Sequence, residues 1–194
     1  MAFGRPSLDA QLVDEAVIHS MIYATLSYCW GSSVSGLFTT TTATLASRKE
    51  RIKYSLLPLT LQQTFKYTRQ LKIRYIWIDA LCIIQDSESD WQDQSAKMGA
   101  IYSGSFVTIA AGWRREVSSG LFNSVSDNLL VDKEKSIRIT SILSNGLEST
   151  LYLGEPIQTR LPEIENSVLT TRAWAYQERL LSPRILHFTE AQLF

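Results

Sequence analysis

The chain has 194 residues, 45% of them hydrophobic and 20% charged, with a mean hydropathy of -0.04. This is the profile of one compact domain rather than of a disordered tail or a fibrous repeat. Lys plus Arg is 19 and Asp plus Glu is 19, so no net field draws the protein onto nucleic acid or an anionic membrane surface. Small molecules and protein partners remain.

The longest apolar stretch, Tyr75 to Ile84, is interrupted by Asp79 and is far shorter than the roughly 20 residues needed to span a bilayer. The N-terminal segment carries Arg5, Asp9, Asp14 and Glu15 without a continuous apolar block, so it does not read as a secretory signal. A cytoplasmic protein is expected, with residues 1–22 as an N-terminal extension and with Cys29 and Cys82 as reduced thiols in buried strands.

Ile22 to Trp30 is rich in β-branched and aromatic residues and runs into Gly31, Ser32 and Ser33, which reads as a strand leaving into a turn. After Pro58, the positions Leu61, Phe65, Thr68 and Leu71 recur at helical spacing and predict a helix over Leu59 to Leu71. Tyr75 to Leu81 is a nearly continuous apolar run, suited to a parallel strand covered on both faces, with Asp79 near its C-terminal end. Asp90 can cap a second helix whose buried stripe would be Trp91, Ser95, Met98, Ile101 and Tyr102, stopped by Gly104. Phe106 to Ala111 is a third buried strand. Between Trp113 and Val168 the pattern loosens, and an insertion is expected there, with a β-hairpin built from segments around Ile137 to Leu143 and Thr150 to Leu153. Thr170 to Leu181 is helical again, and Ile185 to Phe188 is a fourth strand.

Strands alternating with helices predict an α/β fold, a mainly parallel central sheet flanked by helices with a β-containing insertion. Ligands of such folds gather at the C-terminal ends of the strands. Gly31 to Ser33, Asp79 to Asp86 and the start of the helix carrying Trp174 and Glu178 all fall at that edge.

Several motifs can be weighed and set aside. Gly31 and Gly36 have the spacing of a phosphate loop, but Leu37 and Phe38 stand where Lys and Ser/Thr are required. Asp86, Glu88, Asp90 and Asp93 resemble the start of a calcium loop, yet Trp91 occupies the turn position that needs Gly, so capping and solvation explain them better. His19 and His187 are not in metal-ligand spacing, no metal site is expected, and His187 reads as a hydrogen-bonded structural residue. Trp174 and Glu178, four residues apart, share one face of a helix. An aromatic platform beside a carboxylate suits a nucleoside with a glycosidic bond; a core Trp with a surface Glu paired to Arg179 or Arg172 is the plainer alternative.

Three segments, YATLSYCWG (Tyr23 to Gly31), YIWIDALCIIQDSESDWQDQSAKMGAIY (Tyr75 to Tyr102) and RAWAYQERLLSPRILHF (Arg172 to Phe188), closely resemble in order the signature blocks of the fungal heterokaryon-incompatibility, or HET, domain. That resemblance covers residues 23–194 and implies an effector of the cell death that follows fusion of incompatible hyphae, working beside recognition-domain partners and with a C-terminal end that continues further. The blocks are also distantly similar to TIR domains, which implies a flavodoxin-like strand order. In that comparison Trp174 to Glu178 matches the WxxxE helix, whose Glu cleaves NAD at the nicotinamide-ribose bond in many TIR domains.

The resemblance thus implies NAD or a related dinucleotide as substrate, with no other cofactor required, and Glu178 as the catalytic group. Trp174 would help wall the pocket, Tyr28, Trp30 and the amides after Gly31 would contact phosphates or base, Asp79 and Gln85 would bind ribose hydroxyls, and Arg172 would offset the diphosphate. The competing expectation is a non-enzymatic effector that signals by forming a homo-oligomer or by binding other proteins.

Overall fold

The structure is a computed structural model that describes residues 2–3, 9–14, 21–31, 38–113, 115–121, 137–142, 148–153, 167–189 and 193. Its strands are β1 (Ala2–Phe3), β2 (Ala10–Gln11), β3 (Tyr23–Ser27), β4 (Tyr75–Trp77), β5 (Val107–Ala111), β6 (Ile137–Ile142), β7 (Glu148–Leu153) and β8 (Ile185–Phe188). The α-helices are α1 (Leu45–Glu50), α2 (Leu59–Gln70), α3 (Asp79–Cys82), α4 (Glu88–Ser103) and α5 (Ala173–Leu181).

β3, β4, β5 and β8 are mutually parallel and stand in the order β4-β3-β5-β8, with the short β1 and β2 added antiparallel beyond β4. The expected α/β fold with a mainly parallel sheet is therefore present. Counted in chain order, the four parallel strands lie second, first, third, fourth, which is the flavodoxin-like arrangement. Side chains along β5 are buried without alternation, because helices cover both faces of the sheet. From β3 the chain crosses one way to β4 and then back past β3 to β5. Right-handed crossovers in opposite directions put α2 and α4 on opposite faces, and a crevice opens beyond the C-terminal ends of the strands where the direction reverses.

α2 supplies Leu61 and Phe65 to the core against Leu26, Ile76 and Ile109, as its spacing predicts, while Leu71 caps the helix and stays exposed. α5 lies against α4 at Gly99, where an added Cβ would meet Leu181 at 3.4 Å and Gln177 at 3.6 Å. β6 and β7 pair antiparallel from Ile137↔Leu153 to Ile142↔Glu148, which is the predicted hairpin. The rest of the expected insertion lies largely outside the described residues, apart from its two ends.

Four boundaries differ from expectation. The first strand stops at Ser27 and the second at Trp77. Asp79 opens α3 rather than ending a strand, because its Oδ1 accepts the Ala80 amide at 2.7 Å and turns the chain. α4 begins three residues earlier than predicted: its cap is Ser87, whose hydroxyl accepts from the Asp90 amide, while Asp90 itself accepts from the Ile84 amide at 2.7 Å. Only Met98 and Tyr102 of its expected stripe are buried, and Trp91 is half-exposed because the sheet covers only the last turns of the helix. The last helix starts at Ala173, since Val168–Thr171 forms a 3-10 turn held by Ser167.

That turn docks on Gly112, just past β5. Ser167 Oγ donates to the Gly112 carbonyl at 2.9 Å and accepts from the Leu169 amide at 3.2 Å. A Cβ at position 112 would lie 2.5 Å from the same oxygen, so any side chain there displaces Ser167 and breaks both bonds. Gly112→Ala is expected to lower unfolding free energy by about 2 kcal/mol. Urea denaturation checks this, and adding Ser167→Gly should recover part of the loss; a null effect of Gly112→Ala would show that the turn yields freely.

Candidate functional site

The site assembles where the sheet edge predicted. Beyond β3 the chain continues through Tyr28, Cys29, Trp30 and Gly31, and beyond β4 it reaches Asp79. Trp30 Nε1 donates to Asp79 Oδ2 at 2.9 Å, the Ala80 amide holds the other oxygen, and the buried Tyr28 hydroxyl faces the same carboxyl. Burial pushes Asp79 up to about 6, against the pull of these hydrogen bonds and of the Arg172 charge. The carboxyl is nonetheless partly accessible. A narrow cleft lined by Tyr28, Trp30, Ala80 and Pro58 among others opens beside it, with Asp79 itself outside the lining.

Glu178 comes from α5 and is only 8% exposed. Burial pushes its carboxyl up to about 7, the Ser27 hydroxyl and the Arg172 charge draw it down, and the charge of Asp79 raises it further. Tyr102 lies against the same carboxyl while giving its single proton to the Leu26 carbonyl at 3.0 Å. Its contact with the carboxyl draws Glu178 down, alongside Ser27 and Arg172.

A second network fixes the helix that carries this acid. Ser182 Oγ donates to the Glu178 carbonyl at 2.6 Å, so it must accept from Thr108 at 2.6 Å. Thr108, its own proton committed, accepts from Thr25 at 2.6 Å. The protons of this buried hydroxyl chain thus all point one way, from β3 through β5 to the C-terminal end of α5.

Arg172 caps α5 and donates to the Tyr28 carbonyl at 2.7 Å. It is the cation opposing both acids. Gln85 donates to the carbonyls of Asp79 at 3.0 Å and Ile83 at 3.2 Å, which commits its amide nitrogen to the turn after α3. Gly31 has φ +105°, and a Cβ there would meet the Glu116 carboxylate. The loop amides expected to cradle phosphate, residues 32–37, lie outside the described residues, as does His19.

Structure and expectation part company at the Trp-Glu pair. The plainer alternative, a core Trp with a surface Glu paired to an Arg, is reversed: Trp174 is 48% exposed and Glu178 is buried, with no arginine in salt-bridge contact with Glu178 among the described residues. α5 turns Ala175 and Glu178 to the sheet, which carries the indole at position 174 outward. The aromatic surfaces near the acids are Tyr28, Trp30 and Tyr102 instead. Ser27 and Tyr102 went unpredicted as site residues, since a strand-end Ser and a core Tyr carry no sequence signal of their own. Cys29 and Cys82 are free and partly accessible rather than sealed in the core, and burial pushes the Cys82 thiol up. The acidic run serves loop structure rather than the expected helix cap, which is Ser87: Asp86 accepts from the Thr42 amide at 2.7 Å and its hydroxyl at 2.6 Å. Among the described residues no group of His, Cys, Asp and Glu could hold a metal, and no helix is long and apolar enough to cross a membrane.

Both acids bind their protons more tightly folded than unfolded, so folding takes up protons. Their contribution to stability is complete below pH about 4 and is lost as pH rises through about 6 for Asp79 and about 7 for Glu178. Between pH 5 and pH 8 the protein is expected to lose about 3 kcal/mol of unfolding free energy from this source. Denaturant titrations at the two pH values measure it, and an unchanged or higher stability at pH 8 would contradict the burial of these groups.

The sequence model described as heterokaryon incompatibility protein (HET) matches residues 23–178. No curated protein and no solved structure matches the chain.

Proposed function

The chain belongs to the heterokaryon-incompatibility family, which suggests a role in fungal heterokaryon incompatibility, and from that premise we propose that it is a cell-death effector that cleaves NAD at the nicotinamide-ribose bond. The observation that carries this reading is the pair of acids with raised pKa, the buried Glu178 and the partly accessible Asp79, at the C-terminal edge of a parallel sheet in flavodoxin-like order. The resemblance of the Trp174 to Glu178 segment to a WxxxE helix supports it further.

In this mechanism the C1′–N1 bond of the nicotinamide riboside breaks and its electron pair leaves with the ring nitrogen, which becomes neutral. Ionised Glu178 stabilises the positive charge left on the ribose. Water adds to C1′ and gives up its proton to Glu178 or to solvent, completing hydrolysis to ADP-ribose. Asp79, held by Trp30, is placed to bind ribose hydroxyls. Tyr28 and Trp30 offer aromatic surface, and Arg172 keeps Glu178 ionised in a fraction of molecules at neutral pH. Trp174 contributes from the rim rather than from the wall.

The test is nicotinamide release from NAD by purified wild type and by Glu178→Gln. Release by the wild type and not by the variant supports cleavage, and equal release by both removes Glu178 from the mechanism. A second reading, a non-enzymatic effector acting by self-association, is favoured by the exposed Trp174, Tyr176 and Leu180 on α5. No release at high protein concentration, together with a concentration-dependent increase in mass, would select it.

A further inference from the structure

A second cleft, shallow and open to solvent, lies between α5, β8 and the 3-10 turn at Val168–Thr171. Leu169, Ala175 and Ile185 form apolar wall, and Tyr176, Arg179 and His187 bring polar groups to it. Among the described residues Arg179 has no ion-pair partner, and His187 is partly buried beside it. Burial and the neighbouring Arg179 charge hold the imidazole below its usual range, so Arg179 is the cation of this cleft at neutral pH. Ser27 lines the same cleft and faces the Glu178 carboxyl, joining the two regions.

A single guanidinium beside a neutral imidazole and a phenol, over an apolar wall, matches one anionic group attached to a planar apolar body with hydroxyls between them. The geometry points to a nucleoside-monophosphate subsite, with phosphate on Arg179, a ribose hydroxyl on His187 and the base against Leu169 and Ile185. It would seat the adenylate half of a dinucleotide whose other half reaches Glu178; that final step rests on the NAD reading above, whereas the subsite does not.

Calorimetric titration of the wild-type protein with AMP and with adenosine tests the subsite in the absence of turnover. AMP should bind at least about tenfold more tightly than adenosine. Arg179→Gln should remove that difference, and Lys49→Gln, at an exposed lysine paired with Asp14, should preserve it. Absent AMP binding, equal binding of the two compounds, or AMP binding indifferent to Arg179→Gln overturns the inference. With NAD, Arg179→Gln should act on KM rather than on kcat. AMP binding that depends on Arg179 without any nicotinamide release would leave the subsite standing and refute NAD cleavage. Nicotinamide release with AMP binding insensitive to Arg179 would do the reverse.

Discussion

Glu178→Gln is expected to slow nicotinamide release from NAD by roughly a thousandfold while making the protein more stable at pH 8. The two effects have one origin. A carboxyl pushed up to about 7 by burial is held where its charge is costly, and a neutral amide of the same shape removes that cost along with the charge that would meet the ribosyl cation. In the wild type, activity should rise with pH through about 7, because only the ionised form stabilises the cation. Rate-pH profiles and thermal melts of both proteins at pH 5 and pH 8 provide the check. A variant that loses activity and stability together would mark Glu178 as a structural acid, and a rate that falls as pH rises would require its protonated form.

Arg172→Ala should cost about 3 kcal/mol of unfolding free energy. The guanidinium satisfies the Tyr28 carbonyl at 2.7 Å and is the cation opposing both acids. Removing it leaves a backbone acceptor unpaired and moves Glu178 and Asp79 further toward their neutral forms. The loss should be greater at pH 8 than at pH 5, where both acids are already largely protonated, and any residual NAD cleavage should shift its rise to higher pH. Arg172→Lys restores charge without the planar fork, so it is expected to recover the pH profile better than the stability. Urea unfolding at both pH values measures the cost, and a loss independent of pH would assign Arg172 to packing alone.

Much of this fold could be read from periodicity because its strands are buried on both faces and its connections follow one rule. The run at Tyr75 to Leu81 announced a parallel strand, yet its end was misplaced, since hydrophobicity does not reveal that Asp79 turns the chain by accepting the Ala80 amide. The site was legible where residue type and chain position coincide, as at Trp30, Asp79 and Glu178. It was illegible where a role depends on which way a helix faces. Spacing places Trp174 and Glu178 one turn apart but does not say which of them meets the sheet. Ser27 and Tyr102 acquire meaning only when β3 and α4 are brought against α5.

Asp79 and Glu178 are contributed by distant stretches of chain, one beside the second parallel strand and the other on the helix leading to the last. During synthesis, β3, β4 and β5 leave the ribosome well before α5 does. A nascent chain therefore presents Tyr28, Trp30 and Asp79 while still lacking Glu178. The pair of acids is completed only by the last segment to emerge, once α5 has docked on the sheet.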